Sequence, residues 1–292
     1  MEMKKTRKLG LLLLALVLAL ALAACGGNSG GTAGDTQTPA DGAESGETAN
    51  DAGETADGAG ETSGDAAELT TINAGKLTVV TSPDWPPYEF LDDEGKVTGI
   101  EMDMMALIAE KLGLELVVDE MDFDSALLAM QQGKSDMIAS GCTILEERKL
   151  MMNFTDSYTT AVQVIIVPEG SDITVENLGE QSIGTQRGTT GYLACVDDFG
   201  EDHVIGYDSA LTAVQALLNG QVDCVVMDDS VAKAYVAANA GLAIVDSEYM
   251  TEDYALGVAK DNAALTEAVN NALNELMADG TVQSIIDQYI TE

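Results

Sequence analysis

Three short stretches of the chain combine residue types suited to holding a charged small molecule. The first is Ser140-Gly141-Cys142-Thr143, a small-residue loop with Arg148 five positions after Thr143. Only three arginines, Arg7, Arg148 and Arg187, stand among 50 Asp and Glu, so a guanidinium here needs a reason. Its planar fork of donors fits a carboxylate through two parallel hydrogen bonds, where a lysine would offer a point charge. The second stretch is Gln186-Arg187-Gly188-Thr189-Thr190, whose amides and hydroxyls, at a helix start, would face an anion. The third is Asp228, a lone carboxylate ending an apolar strand and able to hold an ammonium. Carboxylate holders and an ammonium holder together meet the needs of an α-amino acid. Spacing alone leaves a second reading of Arg148, a surface ion pair with Glu146, Glu147 or Asp156.

Other chemistries find less support. Cys142, Cys195 and Cys224 make no Cys-x-x-Cys pair and His203 is the one histidine, so no Cys/His metal centre is legible. No nucleophile–base pair stands out, and neither cofactor nor metal is expected. Cys195 and Cys224 read either as a disulfide of an exported protein or as two separately buried thiols. Residues 69–292 carry 39 acidic and 9 basic side chains, which excludes the basic footprint that nucleic acid requires. That excess reads as a solvated, aggregation-resistant surface.

The elements that must position these loops follow from apolar spacing. Residues 77–81 form a β-rich run that ends in the Pro-rich loop 82–88, and residues 93–96 make a hairpin turn. Met104, Met105, Ile108 and Leu112 keep helical spacing up to Gly113, a helix-ending residue. A strand at 114–118, a helix at 124–132 and a strand at 136–139 follow. Continued alternation of strand and helix predicts a parallel α/β sheet. "DSALLAMQQGKSDMIAS" at 124–140 is echoed by "DSALTAVQALLNGQVDCVVMD" at 208–228. In both, Asp-Ser is expected to cap a helix and Gly-x-x-Asp to open a buried strand, with the second helix about one turn longer. The echo suggests two lobes of similar build, although any two strand–helix units share some likeness.

The N-terminal part reads differently. Lys4, Lys5, Arg7 and Lys8 precede an unbroken apolar run of 16 residues, 9–24. That is short of the ~20 residues a spanning helix needs, so residues 1–24 read as an export signal. Leu22-Ala23-Ala24-Cys25 resembles a bacterial lipoprotein signal, with Cys25 the acylated residue. Residues 25–69 are rich in Gly, Ala, Thr and acids and too poor in apolar side chains to offset the ordering of their backbone. They read as a disordered tether.

Between residues 76 and 289 the chain resembles the family-3 extracellular solute-binding proteins of ABC transporters, which bind polar amino acids. The likeness lies in "TSPDWPPYEF", "GKVTGIEMDMMALIAEKLG", "SGCTILEERK", "MNFTDSYTT", "QRGTTGYL", "GQVDCVVMDDSVA" and "LMADGTVQSIIDQY", in that order. It implies a two-lobed α/β fold of the periplasmic-binding-protein type (type II) with two hinge strands. Lobe 1 would hold residues 70–162 and 254–292, and lobe 2 residues 163–253. It also implies a monomeric, lipid-anchored receptor outside the cytoplasm that passes an amino acid to an ABC permease and its ATPase. Arg148 would then bind the α-carboxylate, helped by Thr143 and the helix start at Thr189 and Thr190. Asp228 would take the α-ammonium, with the Gly141 carbonyl and Thr143 hydroxyl; Ser140 belongs to the same loop. Trp85 and Phe123 would flank the ligand side chain and Gln186 would touch it.

Three departures bear on specificity. Family members that bind cationic side chains often carry Asp where this chain has Ser82, and Cys142 replaces a larger apolar residue. Arg187 stands where small residues are usual, either meeting an acidic ligand or bridging to an acidic residue across the closed cleft. With Ser82, Cys142 and Arg187 as candidate side-chain pocket, a neutral ligand is expected first and an acidic one second. Two other functions fit the fold: a sensory lobe signalling to a membrane partner, and a cyclohexadienyl dehydratase-like enzyme.

Overall fold

The echoed passages become matching units in the computed structural model, which describes residues 69–290. The chain opens with β1 (Lys76–Thr81), then a small sheet of β2 (Asp84–Trp85), β3 (Glu89–Leu91) and β4 (Val97–Thr98). It continues through α1 (Ile100–Leu112), β5 (Glu115–Glu120), α2 (Phe123–Gln131), β6 (Met137–Ile138), the single turn α3 (Glu146–Lys149) and β7 (Met152–Phe154). The next stretch is β8 (Thr159–Pro168), β9 (Ile183–Gln186), α4 (Thr190–Phe199), β10 (Val204–Tyr207) and α5 (Ala210–Leu218). β11 (Cys224–Asp228), α6 (Asp229–Ala238), β12 (Leu242–Tyr254), β13 (Gly257–Ala259), α7 (Ala263–Ala278) and α8 (Thr281–Tyr289) complete it.

Two five-stranded sheets share one plan, β5-β1-β6-β13-β7 and β10-β9-β11-β8-β12. In each, one strand, β1 or β9, lies between two parallel neighbours, β5 and β6 or β10 and β11, and two strands joined by antiparallel pairings follow. The sheets are therefore mixed, not parallel as expected. Apolar spacing marks a strand but carries no direction, and β8 with β12 forms a long antiparallel ladder from Leu242↔Pro168 to Tyr254↔Thr159. The chain leaves the first sheet between β7 and β8 and returns between β12 and β13, so two crossings join the two lobes.

The echoed aspartates do equivalent work. Asp136, just before β6, accepts the Thr78 N–H at 2.9 Å, and Asp223, just before β11, accepts the Ser182 N–H at 2.8 Å. Each ties the strand it precedes, β6 or β11, to β1 or β9. The helix caps differ from expectation. Asp122, not Asp124, caps α2 by accepting the Ser125 N–H at 3.0 Å, whereas Ser209 caps α5. An earlier cap lengthens α2 at its front, so both helices have nine residues and the extra turn is absent.

Packing follows the apolar stripes. Ile100, Met104, Met105 and Ile108 of α1 are fully buried, in one core with Leu265, Val269 and Leu273 of α7. Each such side chain contributes about 1.5–3 kcal/mol by burial. Gly113 ends α1 at φ 68°, a left-handed conformation that costs glycine least. Cys142, Cys195 and Cys224 are all free and buried, so the disulfide does not form. Burial pushes the Cys195 and Cys224 thiols up to about 12, which makes them inert packing groups.

Candidate functional site

The strand-end loops named from the sequence converge on one small, nearly filled cavity between the lobes. After β6 the chain turns through Gly141 at φ 50°, where a Cβ would lie 2.7 Å from the Trp85 ring. Glycine there lets the backbone press against Trp85, whose Nε1–H donates to the Tyr254 hydroxyl at 2.9 Å. The Gly141 N–H donates to Glu101 Oε2 at 3.0 Å, and the Ser140 hydroxyl donates to Glu89 Oε1 at 3.1 Å.

Arg148 emerges from α3 and is 3% exposed. Nη1 donates to the Thr143 carbonyl at 3.0 Å and approaches Cys142 Sγ at 3.6 Å, while Nη2 donates to the Gly188 carbonyl of the other lobe at 2.9 Å. The guanidinium carbon lies 5.2 Å over the centre of the Phe123 ring, a cation–π contact. Among the described residues it pairs with no carboxylate, which removes the surface ion-pair reading. Carbonyls and a ring position the charge without neutralising it.

On the facing lobe, Thr189 caps α4 by accepting the Tyr192 N–H at 3.2 Å. Asp228 ends β11, is 2% exposed and accepts a hydrogen bond from Gln163 Nε2. The same amide donates its second N–H to Glu252 Oε1 at 2.9 Å, with Thr190 Oγ1 3.3 Å away. Burial, then the Glu252 charge beside it, holds the Asp228 carboxyl well above the usual carboxylate range. Among the described residues no N–H or hydroxyl donor reaches Gln163 Oε1 or Glu252 Oε2, while the Asp228 and Glu252 carboxyls interact directly.

The remaining wall is acidic. Half-buried Asp84 accepts the Ser82 hydroxyl at 2.8 Å and lies 3.3 Å from Gln186 Nε2. Burial raises its carboxyl, against the hydrogen bonds it accepts. Glu89 is fully buried, and burial together with neighbouring Glu101 pushes it well above the ordinary range. Glu101, also raised by burial, is anchored by the Tyr158 hydroxyl at 2.7 Å. Among the described residues no N–H or hydroxyl donor reaches Glu89 Oε2, while the Glu89 and Glu101 carboxyls interact directly.

Comparison with known proteins gives this arrangement a family. The family model of the bacterial extracellular solute-binding proteins, family 3, matches residues 77–292. ABC transporter arginine-binding protein 1 of Escherichia coli (strain K12) is 30% identical over 224 residues, 75% of this chain and 92% of its own. The chain belongs to this family. Two solved structures share its fold at TM-score 0.71: an ancestral arginine-binding protein bound to glutamine and ArtJ of Geobacillus stearothermophilus. The first is 38% identical, covering 75% of this chain and 99% of its own. The second, described as an arginine-, lysine-, histidine-binding protein, is 30% identical, covering 74% and 96%. The protein is thus a solute-binding protein rather than an enzyme. Among its described residues no helix is long and apolar enough to cross a membrane.

In this solute-binding protein the cavity is lined by Trp85, Phe123, Ser140, Gly141, Thr143, Arg148, Gln186, Thr189, Thr190 and Asp228, with Ser82 beside them. Cys142 and Arg187 are not among the lining residues. Arg187 is exposed and bonds Asp208 of its own lobe through Nε at 3.1 Å and Nη2 at 2.9 Å, so it neither bridges the cleft nor faces a ligand. Phe123 serves as the floor under Arg148. The sequence reading missed Asp84 and Glu89, both in the lining, and Gln163, Glu101 and Glu252 behind it. The neutral Ser82 is therefore not the whole of the side-chain wall, since Asp84 and Glu89 are in the lining with it. Cys25 and the leader lie outside the described residues.

Proposed function

We propose that this protein is a receptor for an α-amino acid with a cationic side chain, arginine first, and that it hands the ligand to an ABC importer. One observation carries the ligand class. The lining holds one guanidinium, Arg148, against three carboxyl groups, Asp84, Glu89 and Asp228. Arg148 and Asp228 answer the two charges of a zwitterion, which leaves Glu89 for a further positive charge, with Asp84, engaged by Ala210, adding only to the negative field of that wall. Buried carboxyls without a counter-charge are costly, and a ligand cation relieves that cost. The names of the E. coli relative and ArtJ agree with this reading. Lobes of residues 70–162 with 254–292, and 163–253, would close over the ligand by flexing β8 and β12, as binding favours the closed form.

Calorimetry with the twenty amino acids and cystine tests it. Arginine binds tightest if the acidic wall faces the side chain. Tighter binding of glutamine or cystine would refute the cationic preference, and no binding by any amino acid would refute the receptor reading. We further propose that Cys25 is acylated and holds the protein to the outer face of the cell membrane. Cys25→Ser should then release the protein or leave it unprocessed, whereas a wild-type mature N-terminus without lipid, by mass spectrometry, would overturn the anchor.

A further inference from the structure

Asp84 belongs to the small sheet of the first lobe, yet it also meets Ala210, Gln186 and Tyr235 of the second. Its Oδ2 accepts the Ala210 N–H at the start of α5, at 2.6 Å. Gln186 Nε2, at the end of β9, lies 3.4 Å from Oδ1 and 3.3 Å from Oδ2. The Asp84 backbone carbonyl accepts the Tyr235 hydroxyl of α6 at 2.7 Å. Ser82 holds the carboxylate from its own lobe, so the side chain is aimed across the cleft by a fixed partner.

The chemistry of the contact is strong. The Ser209 cap of α5 satisfies the Thr212 N–H and leaves the Ala210 N–H for an outside acceptor. A carboxylate there meets both an orphan donor and the positive end of the helix dipole. Another cross-lobe bond of a charged group, Arg148 to the Gly188 carbonyl, uses a guanidinium that a ligand carboxylate would also claim. Asp84 lines the cavity beside its partners Ser82 and Gln186, but its Ala210 and Tyr235 partners lie outside the lining.

We propose that Asp84 is a closure latch, a positioning residue that ties the second lobe to the first and sets the open–closed balance for every ligand alike. It follows that Asp84 governs how much affinity is lost to closing the cleft, while Glu89 governs which side chain is chosen. The latch rests on the two-lobe closure described above and not on the preference for a cationic ligand.

Small-angle scattering of the wild type, Asp84→Ala and Asp84→Asn, with and without saturating arginine, combined with calorimetry for arginine and glutamine, tests it. Asp84→Ala should expand the unliganded protein and leave the arginine-saturated form as compact as wild type, which also checks its fold. Affinity for both amino acids should fall by a common factor of about ten, because the closed state becomes a smaller fraction of the ensemble. Asp84→Asn keeps an acceptor for the Ala210 N–H without the charge and should fall between. Unchanged scattering of unliganded Asp84→Ala would overturn the latch. So would a loss confined to arginine with glutamine binding intact, which would make Asp84 a ligand contact. If neither amino acid binds the wild type, the ligand reading fails while the unliganded scattering still decides the latch.

Discussion

Arg148 and the acidic groups around it are buried to a similar depth but are prepared for charge in opposite ways. Arg148 receives carbonyl oxygens from Thr143 and Gly188 and the face of Phe123, neutral groups that fix its direction. Glu89 and Asp228 instead have other carboxyls, Glu101 and Glu252, behind them, and both are held well above the usual carboxylate range. The cation is stabilised before any ligand arrives, whereas the acids are destabilised until one does. Stability withheld at a binding wall is a common trade for affinity.

Removing the prepared cation should have the largest effect. Arg148→Ala leaves a ligand carboxylate uncompensated in a dry cleft, costing about 3–5 kcal/mol, or 10² to 10³ and more in affinity by calorimetry. Near wild-type affinity would place the carboxylate elsewhere. Asp228→Asn should cost about 10² in affinity for every amino acid, roughly the loss of one charge-assisted bond and its field. Unlike Arg148→Ala, it should also raise the melting temperature of the unliganded protein, since it removes one charge from an acid pair. A lowered melting temperature would show that the pair is stabilising and that the contrast is false.

Glu89→Gln sharpens the comparison at the side-chain end. It should lower the preference for arginine over glutamine by roughly tenfold, the worth of one hydrogen bond to a charged group, without lowering stability. An unchanged preference would move the cation partner away from Glu89.

The smallest effect is a pH trend with two signs. Asp84, Glu89, Glu101 and Asp228 all have raised carboxyls, so between the ordinary carboxylate range and their raised values the folded chain holds more protons than the unfolded one. Unfolding free energy then falls as pH rises through that window, and the unliganded protein should melt a few degrees higher at about pH 5 than at about pH 7.5. Arginine affinity should move the other way, because an ammonium or guanidinium requires ionised partners. Parallel trends in the two measurements would contradict the design.

The two sides of this contrast were unequally legible. Arg148 was conspicuous because arginine is rare in the chain and stands near a small-residue loop. Thr189, Thr190 and Asp228 were legible because strand-to-helix junctions bring free N–H groups and strand-end side chains to one face. Glu89, Glu101 and Glu252 were hidden among 50 acids, where a carboxylate is solvated by default. Glu101 sits in the first turn of α1, where an acid favours the dipole even when exposed, so its burial left no mark in the pattern. Gln163 lies in a strand whose apolar run, 164–167, is all that spacing registers. Asp84 had one available sign, its place beside Trp85 in a loop already credited with ligand contact.

Co-crystallisation with L-arginine tests the central claim most directly. The account predicts the α-carboxylate on Arg148, the α-ammonium on Asp228, and the guanidinium beyond Trp85 against Glu89. Arginine bound in reverse, with its guanidinium on Asp228 and its carboxylate away from Arg148, would contradict it.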